Sequence, residues 1–290
     1  MHIFLLILVS IVWGSTFLII KDAVDSVNEN LIVFVRCVLA FIAMFIFALI
    51  KNKKSLFNKK GIIYGSILGV LLAIIYTSQT IGLKFTSTGH SAFITSSAVV
   101  LVPLILFAIY KFKLIKIDVI AVIIVFAGLF FLTYDFSTSI NIGDLITIIT
   151  AGSAAFHIVT AGRVVKKADA ISIITWQFFA ASVVSLAAFL LTNSEPVVLS
   201  EKSIYSLLYL GLIGTLFSYF VSVWVQKYVT SLKVAIIFST EPVFAAIFGY
   251  FILSEVLTPK ELLGASLILA GVVVHSIFKS KMEKKALLNN

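Results

Sequence analysis

Charge is scarce in this chain of 290 residues. Asp and Glu together number 13, and charged residues of both signs make up 12%. Water-soluble domains carry roughly 25%, so a soluble enzyme or binding module is excluded at the outset. There is one cysteine, Cys37. It lies inside an apolar stretch and has no partner for an internal disulfide, and no Cys/His cluster at metal-ligand spacing accompanies it. Neither metal nor redox chemistry is expected, and no cofactor is called for. The sequence also lacks a phosphate-binding Gly-rich loop and any segment long enough for a nucleotide-binding domain, which makes work driven by ATP hydrolysis within this chain improbable.

What fills the space is apolar. Hydrophobic residues make up 61% and the mean hydropathy is +1.15, values that belong to a chain whose solvent is lipid. Apolar stretches of about 18 to 24 residues recur between short polar breaks, and about 20 helical residues cross a hydrocarbon core. Ten are predicted: 3–20, 31–50, 61–83, 90–110, 115–133, 143–162, 171–192, 203–226, 232–253 and 261–278. The first, MHIFLLILVS, has no basic n-region and no small-residue cleavage pattern after it, so a retained helix is expected rather than a signal peptide. Connections this short hold no soluble domain, and any function must lie among the helices.

The net charge of +9 raises the question of a nucleic-acid partner, but the basic residues follow loop parity instead of gathering on one domain. Lys51, Lys53, Lys54, Lys59, Lys60, Lys111, Lys113, Lys116, Arg163, Lys166, Lys167, Lys227, Lys233, Lys279, Lys281, Lys284 and Lys285 fall in loops on one side. Only Lys21, Lys84, Lys202 and Lys260 fall on the other. An excess of that kind marks the cytoplasmic face, so both termini are expected inside, in the cytoplasmic membrane of a bacterium, with no nucleic acid bound. Nothing in the sequence fixes an oligomeric state.

A shift of 143 aligns the two halves. It lays YTSQTIGLKFTSTGHSAF from Tyr76 on YFVSVWVQKYVTSLKVAI from Tyr219, pairing Tyr76 with Tyr219, Lys84 with Lys227, Ala92 with Ala235 and Ser96 with Ser239. Further on it pairs Ala127 and Gly128 with Ala270 and Gly271. A repeat with five helices, an odd number, must enter the membrane upside down relative to its twin. The expected fold is therefore all-α and polytopic, with ten transmembrane helices as two inverted five-helix repeats: residues 1–136, residues 137–279, and a basic tail over 280–290.

Four stretches resemble a known family. They are WGSTF at Trp13 to Phe17; VRCVLA around Arg36; EPVFAA at Glu241 to Ala246, followed by Glu255; and GASLILAGVVV at Gly264 to Val274. In order and spacing the chain resembles the EamA-type transporters of the drug/metabolite transporter superfamily along nearly its whole length. The resemblance implies ten helices in two five-helix repeats around a central cavity walled by helices 1, 3, 4, 6, 8 and 9, with efflux of small metabolites as the commonest activity. The first half departs from the second. Val99 stands where the shift expects a second proline, Pro103 follows four residues on, and no acid matches Glu255, so the halves are not expected to be equivalent.

The polar residues inside the helices are the candidate site. Trp13 and Thr16, three apart, share a face of the first helix, which the resemblance sets against the cavity; packing or interfacial placement is the competing role for Trp13. Tyr76 and Gln79 share a face of the third helix, and Tyr219 and Ser222 share one of the eighth. His157 and Ser153 share a face of the sixth. A serine nucleophile with a histidine base is chemically conceivable, yet no third acid or oxyanion donors can be named, and cavity lining is preferred. A shift of 142 pairs the His157 region with Ser15, which adds Ser15 to the candidates. Ser96 and Ser239, matched by the repeat, complete the polar set with Glu241.

Gly61, Gly65 and Gly69 are expected to bring helices close. Lys84 and Lys227 are expected at solvated helix ends, and Arg36 is expected to reach the outer interface in a structural role. Glu241 lies about 13 Å into its helix at roughly 1.5 Å per residue. At that depth an acid costs about 2.5 to 3.5 kcal/mol and must face the bundle. Pro242 beside it cannot donate to the carbonyl of Phe238 and favours a bend. Pro242 and Pro103 are the expected hinges; for Glu241 a hinge acid and a ligand or proton site both stay open. The function expected is a secondary transporter for small metabolites, amino acids or related compounds, working by alternating access with a small-molecule solute and a proton or counter-solute as partners. Uptake or exchange is the alternative direction, and an intramembrane enzyme the remote one.

Overall fold

The computed structural model describes residues 1–133, 141–192, 199–254 and 256–288. Ten helices among them are long and apolar enough to cross a membrane. We number them α1 (His2–Ala23), α2 (Glu29–Leu56), α3 (Lys59–Phe85), α4 (Thr88–Ser96 and Ala98–Tyr110), α5 (Lys116–Thr133), α6 (Ile142–Val164), α7 (Ala170–Thr192), α8 (Glu201–Val225), α9 (Ser231–Phe238 and Glu241–Leu253) and α10 (Pro259–Leu288). α10 continues through the expected tail as helix. The expected boundary between the halves at 136/137 and the family-like Glu255 both lie outside the described residues.

Helix starts follow the sequence. Asn58, Ser87, Ser200 and Thr230 each accept a first-turn backbone N–H, and Asn141 with Asp144 forms a reciprocal capping box. In hydrocarbon the loose backbone groups of a helix end find no water, so such caps let the helices begin near the membrane surface.

Burial is inverted relative to a soluble protein. Ile63, Ile67, Val70 and Ile74 are exposed along one stripe of α3, and Ile120 and Ile123 along α5, whereas Ser10, Arg36, Thr150, His157, Gln177 and Ser222 are each 2% exposed or less. Most interior hydroxyls bond a carbonyl one turn back, as Ser78 does to Ile74 (2.7 Å), Thr175 to Ile171 (2.8 Å) and Ser182 to Phe178 (2.7 Å). That satisfies the donor without a partner helix.

Close packing runs through small residues. Gly61, Gly65 and Gly69 lie against Ser172, Ile173, Trp176 and Gln177 of α7, and a Cβ at any of the three would collide with that helix. Gly128 and Gly264 play the same part between α5 and α10, a pair also joined by buried Asp118, which accepts from His275 Nε2 and Lys279 Nζ at 3.0 Å each. Gly14 of WGSTF meets the EPVFAA segment of α9: a Cβ there would stand 2.9 Å from Ala245 N and Phe244 Cβ and 3.0 Å from Glu241 O. Two of the family-like motifs are thus in direct contact.

The 143-residue repeat is visible in backbone detail. α4 breaks at Ser97, α9 at Ser239 and Thr240, and each resumes for 13 residues, Ala98–Tyr110 and Glu241–Leu253. Each second segment then ends on a left-handed residue, Lys111 (φ 54°) and Ser254 (φ 57°). The first acids of α5 and α10 also correspond, Asp118 accepting from Ile115 N and Glu261 from Thr258 N.

A Gly14→Val substitution should force α1 away from the α9 break. Overpacking of this kind costs about 1–3 kcal/mol, so the purified protein in detergent is expected to melt several degrees lower. Gly152→Ala, where a Cβ meets nothing within 4 Å, should leave the melting temperature unchanged.

Candidate functional site

The breaks in α4 and α9 face each other across one central cavity. Pro242 lies in the first turn of the second α9 segment, where a missing N–H costs nothing. The break before it is held by side chains: Ser239 Oγ donates to Ile236 O (2.6 Å) and Thr240 Oγ1 to Ile237 O (2.8 Å). In α4, Ser97 Oγ likewise donates to Ile94 O (2.6 Å). Pro103, expected as a hinge, is not at the break; it is buried inside the segment Ala98–Tyr110. The discontinuity occurs at matching positions in both helices whether or not a proline follows, so the proline is not what makes it.

The cavity is lined by Trp13 and Thr16 of α1, Arg36 of α2, Tyr76 and Gln79 of α3, Thr95 and Ser96 of α4, His157 of α6, Tyr219 and Ser222 of α8, and Ser239 and Glu241 of α9, among apolar neighbours. It is tight. Its volume, counted as the space open to the centre of a water-sized sphere, is about 70 Å³. Aromatic rings form its wall: Trp13 stands 4.8 Å from Phe238 and 5.2 Å from Tyr219, and Tyr219 stands 5.6 Å from Tyr76 and 5.2 Å from His157.

Ten of the eleven candidate lining residues meet at this cavity, and Ser15 does not. Its hydroxyl bonds Val12 O (2.6 Å) and Tyr209 Oη (2.7 Å), because it lies about 200° around α1 from Trp13. His157 Nε2 pairs with Gln177 Oε1 at 3.1 Å, and Ser153 makes no hydrogen bond to it, so the conceivable serine–histidine pair is not assembled. Lys84 is exposed in the last turn of α3, the solvated end that was expected, and binds Glu29 there at 2.9 Å.

Arg36 departs most from expectation. It is 1% exposed, turned inward rather than to an interface. Nε donates to Thr215 Oγ1 (2.8 Å), and the guanidinium lies 3.6 Å over the Tyr76 ring. Thr215 belongs to a six-residue π-helical turn in α8, Leu212–Phe217. That turn carries Gly214, whose carbonyl accepts from Trp13 Nε1 (3.0 Å) and Tyr76 Oη (3.4 Å). Wide turns of this sort leave carbonyls free for side chains, and a Cβ on Gly214 would touch Thr16 and Arg36. The sequence signal was the pair Gly211 and Gly214, which clears room for a long side chain from α2.

The model of the EamA-like transporter family matches residues 1–134 and again 141–277. The chain belongs to the EamA-like transporter family. An uncharacterized transporter of Archaeoglobus fulgidus is 34% identical over 272 residues, 94% of this chain and 84% of that one. The uncharacterized transporter YoaV of Bacillus subtilis is 26% identical over 286 residues, 95% and 97% of the two chains. A solved crystal structure sharing 14% identity superposes with a TM-score of 0.79 over 96% of this chain and 97% of the other, which establishes the fold alone. This EamA-like transporter is thus an integral membrane protein of the drug/metabolite transporter superfamily, with two family units whose residues together line a cavity.

Proposed function

We infer that this EamA-like transporter moves small metabolites, amino acids or related compounds, by alternating access. The observation that carries this reading is the polar cavity enclosed where the broken helices α4 and α9 meet. Discontinuous helices at the contact of two repeats are where secondary transporters hold their cargo. The two five-helix halves rock about this point, and the cavity opens first to one side and then to the other. Cavity lining by Trp13, Thr16, Tyr76, Gln79, Ser96, His157, Tyr219, Ser222, Ser239 and Glu241 is part of the proposal, with the breaks beside them as hinges.

The direction proposed is efflux across the cytoplasmic membrane of a bacterium, as the family resemblance implies, with both termini inside. Seventeen basic residues on one set of loops against four on the other support that orientation. Energy comes from the gradient of the solute itself or of a proton or counter-solute exchanged for it. An enzymatic role is disfavoured because His157 is engaged by Gln177 and not by Ser153.

Liposomes containing the purified protein and loaded with a labelled whole-cell metabolite extract should lose specific small solutes within minutes, while protein-free liposomes retain them. Identical retention in both would end the transporter assignment for this chain. For topology, Lys59→Cys in the Cys37→Ser background should be labelled by an impermeant maleimide only after the cytoplasmic face is opened; labelling of intact cells would reverse the orientation.

A further inference from the structure

Away from the central cavity, a groove of about 650 Å³, counted in the same way, opens on the lysine-rich face of the bundle. Its lining is Asn58, Lys59, Lys60 and Ile63 at the start of α3, with Lys167, Ala168 and Asp169 in the turn before α7. The two turns are fixed to each other. Leu56 O accepts from Ser172 Oγ (3.0 Å) and from Trp176 Nε1 (2.7 Å), both of α7, and Gly61 leaves no room for a Cβ against Ser172. The groove is therefore built into the packing of α3 on α7.

Its charge is left open. Lys84 and Lys202, on the opposite face, are bound by Glu29 (2.9 Å) and Asp22 (2.7 Å). Among the described residues no ion pair engages Lys59, Lys60 or Lys167. The one acid of the lining, Asp169, caps α7 by accepting from Ser172 N (3.2 Å). Three ammonium groups against one carboxylate make a place for an anion.

The groove also continues into the membrane. Ile63 lies four and three residues beyond Lys59 and Lys60, on their side of α3. With Ile67, Val70 and Ile74 it forms a stripe of exposed side chains running away from the lysines. Beside the groove Phe57, 54% exposed, stands 6.3 Å from the Trp176 ring, and aromatics of this kind settle at headgroup depth. A soluble anion would use the lysines and leave the stripe bare. A lipid with a zwitterionic headgroup would cover the stripe and bring a second cation toward the lysines. An anionic lipid uses both parts, and basic grooves between helices suit such headgroups.

We propose that this groove is a binding site for an anionic phospholipid, with Lys59, Lys60 and Lys167 on the headgroup phosphate and an acyl chain along Ile63, Ile67, Val70 and Ile74. The inference goes beyond the transport reading and does not depend on it.

Native mass spectrometry of the full-length protein in a neutral detergent, supplied with equal amounts of dioleoyl phosphatidylglycerol and dioleoyl phosphatidylcholine, tests this directly. The wild type should retain phosphatidylglycerol at least about ten-fold over phosphatidylcholine, the scale of a few lysines beside an anionic headgroup. The triple variant K59Q/K60Q/K167Q should bring that ratio close to one. K111Q/K113Q/K116Q, which removes the same charge from the same face outside the groove, should keep it. Asp169→Asn preserves a helix cap and removes the one opposing charge, so it should raise the ratio about five-fold. A change in that direction is not produced by misfolding. Millimolar glycerol 3-phosphate, the headgroup chemistry without the chains, should fail to displace the lipid.

Equal retention of the two lipids by the wild type would overturn the proposal, as would equal loss of preference in the two triple variants, which would mark a general effect of surface charge. An unchanged or lowered ratio for Asp169→Asn would overturn it too. Displacement by glycerol 3-phosphate would replace the lipid site with one for a soluble phosphate.

Discussion

A backbone N–H or C=O without a partner costs several kcal/mol where water is absent. In a chain that offers about 20 apolar residues at a time, this cost fixes nearly everything else. It makes the spans helical, and it restricts any interruption of a helix to a place where other groups take over the freed backbone positions. α4 and α9 are interrupted at Ser97 and at Ser239–Thr240, and hydroxyls bonded to Ile94, Ile236 and Ile237 carbonyls do that work. Both breaks face the same cavity. The polar site and the broken helices are one feature, since a cavity that accommodates free backbone groups also accommodates a polar solute.

The two family-like motifs in contact give this feature its position. Gly14 of α1 lies against Glu241 O, Ala245 N and Phe244 Cβ, so α1 rests directly on the second segment of α9. Trp13 and Thr16, on either side of that glycine, face the cavity with Glu241. A larger residue at position 14 would displace α1 and the cavity wall together. Packing and site geometry are coupled here through one missing methyl group, a reason for a glycine that concerns contact rather than backbone conformation. On the other side of the cavity the π-turn of α8 does related work. Its extra residue per turn frees the Gly214 carbonyl for Trp13 and Tyr76 and sets Thr215 against Arg36.

Much of this was legible in the sequence because the membrane simplifies the code. Ten apolar spans, the shift of 143 and the resemblance of WGSTF and EPVFAA to one family led to the fold, and helical spacing from Trp13, Tyr76 and Tyr219 led to most of the cavity wall. The misreadings have physical causes. Ser15 entered the candidate set through a shift of 142 rather than 143, and one residue of register on a helix is about 100° of rotation, enough to turn a side chain from the cavity to Tyr209. Pro103 was read as a hinge because proline disrupts helices, but the break belongs to Ser97, where hydroxyl-to-carbonyl bonding replaces the ladder.

Arg36 was misjudged for a more general reason. Counting residues from a helix end measures how far along the axis a side chain starts, and says nothing about which way it points. Arg36 turns inward because α8 provides what an arginine needs away from water: a hydroxyl acceptor at Thr215, space at Gly214, and the Tyr76 ring to stack on. None of these neighbours is close in sequence. Long-range provision of this kind is invisible to periodicity, and it is where a single chain hides the charges it uses. Glu241, the sequence feature with the clearest energetic cost, is likewise placed by long-range packing: Gly14 of α1 lets the second segment of α9 approach, and the carboxyl group is kept off the lipid, on the cavity wall.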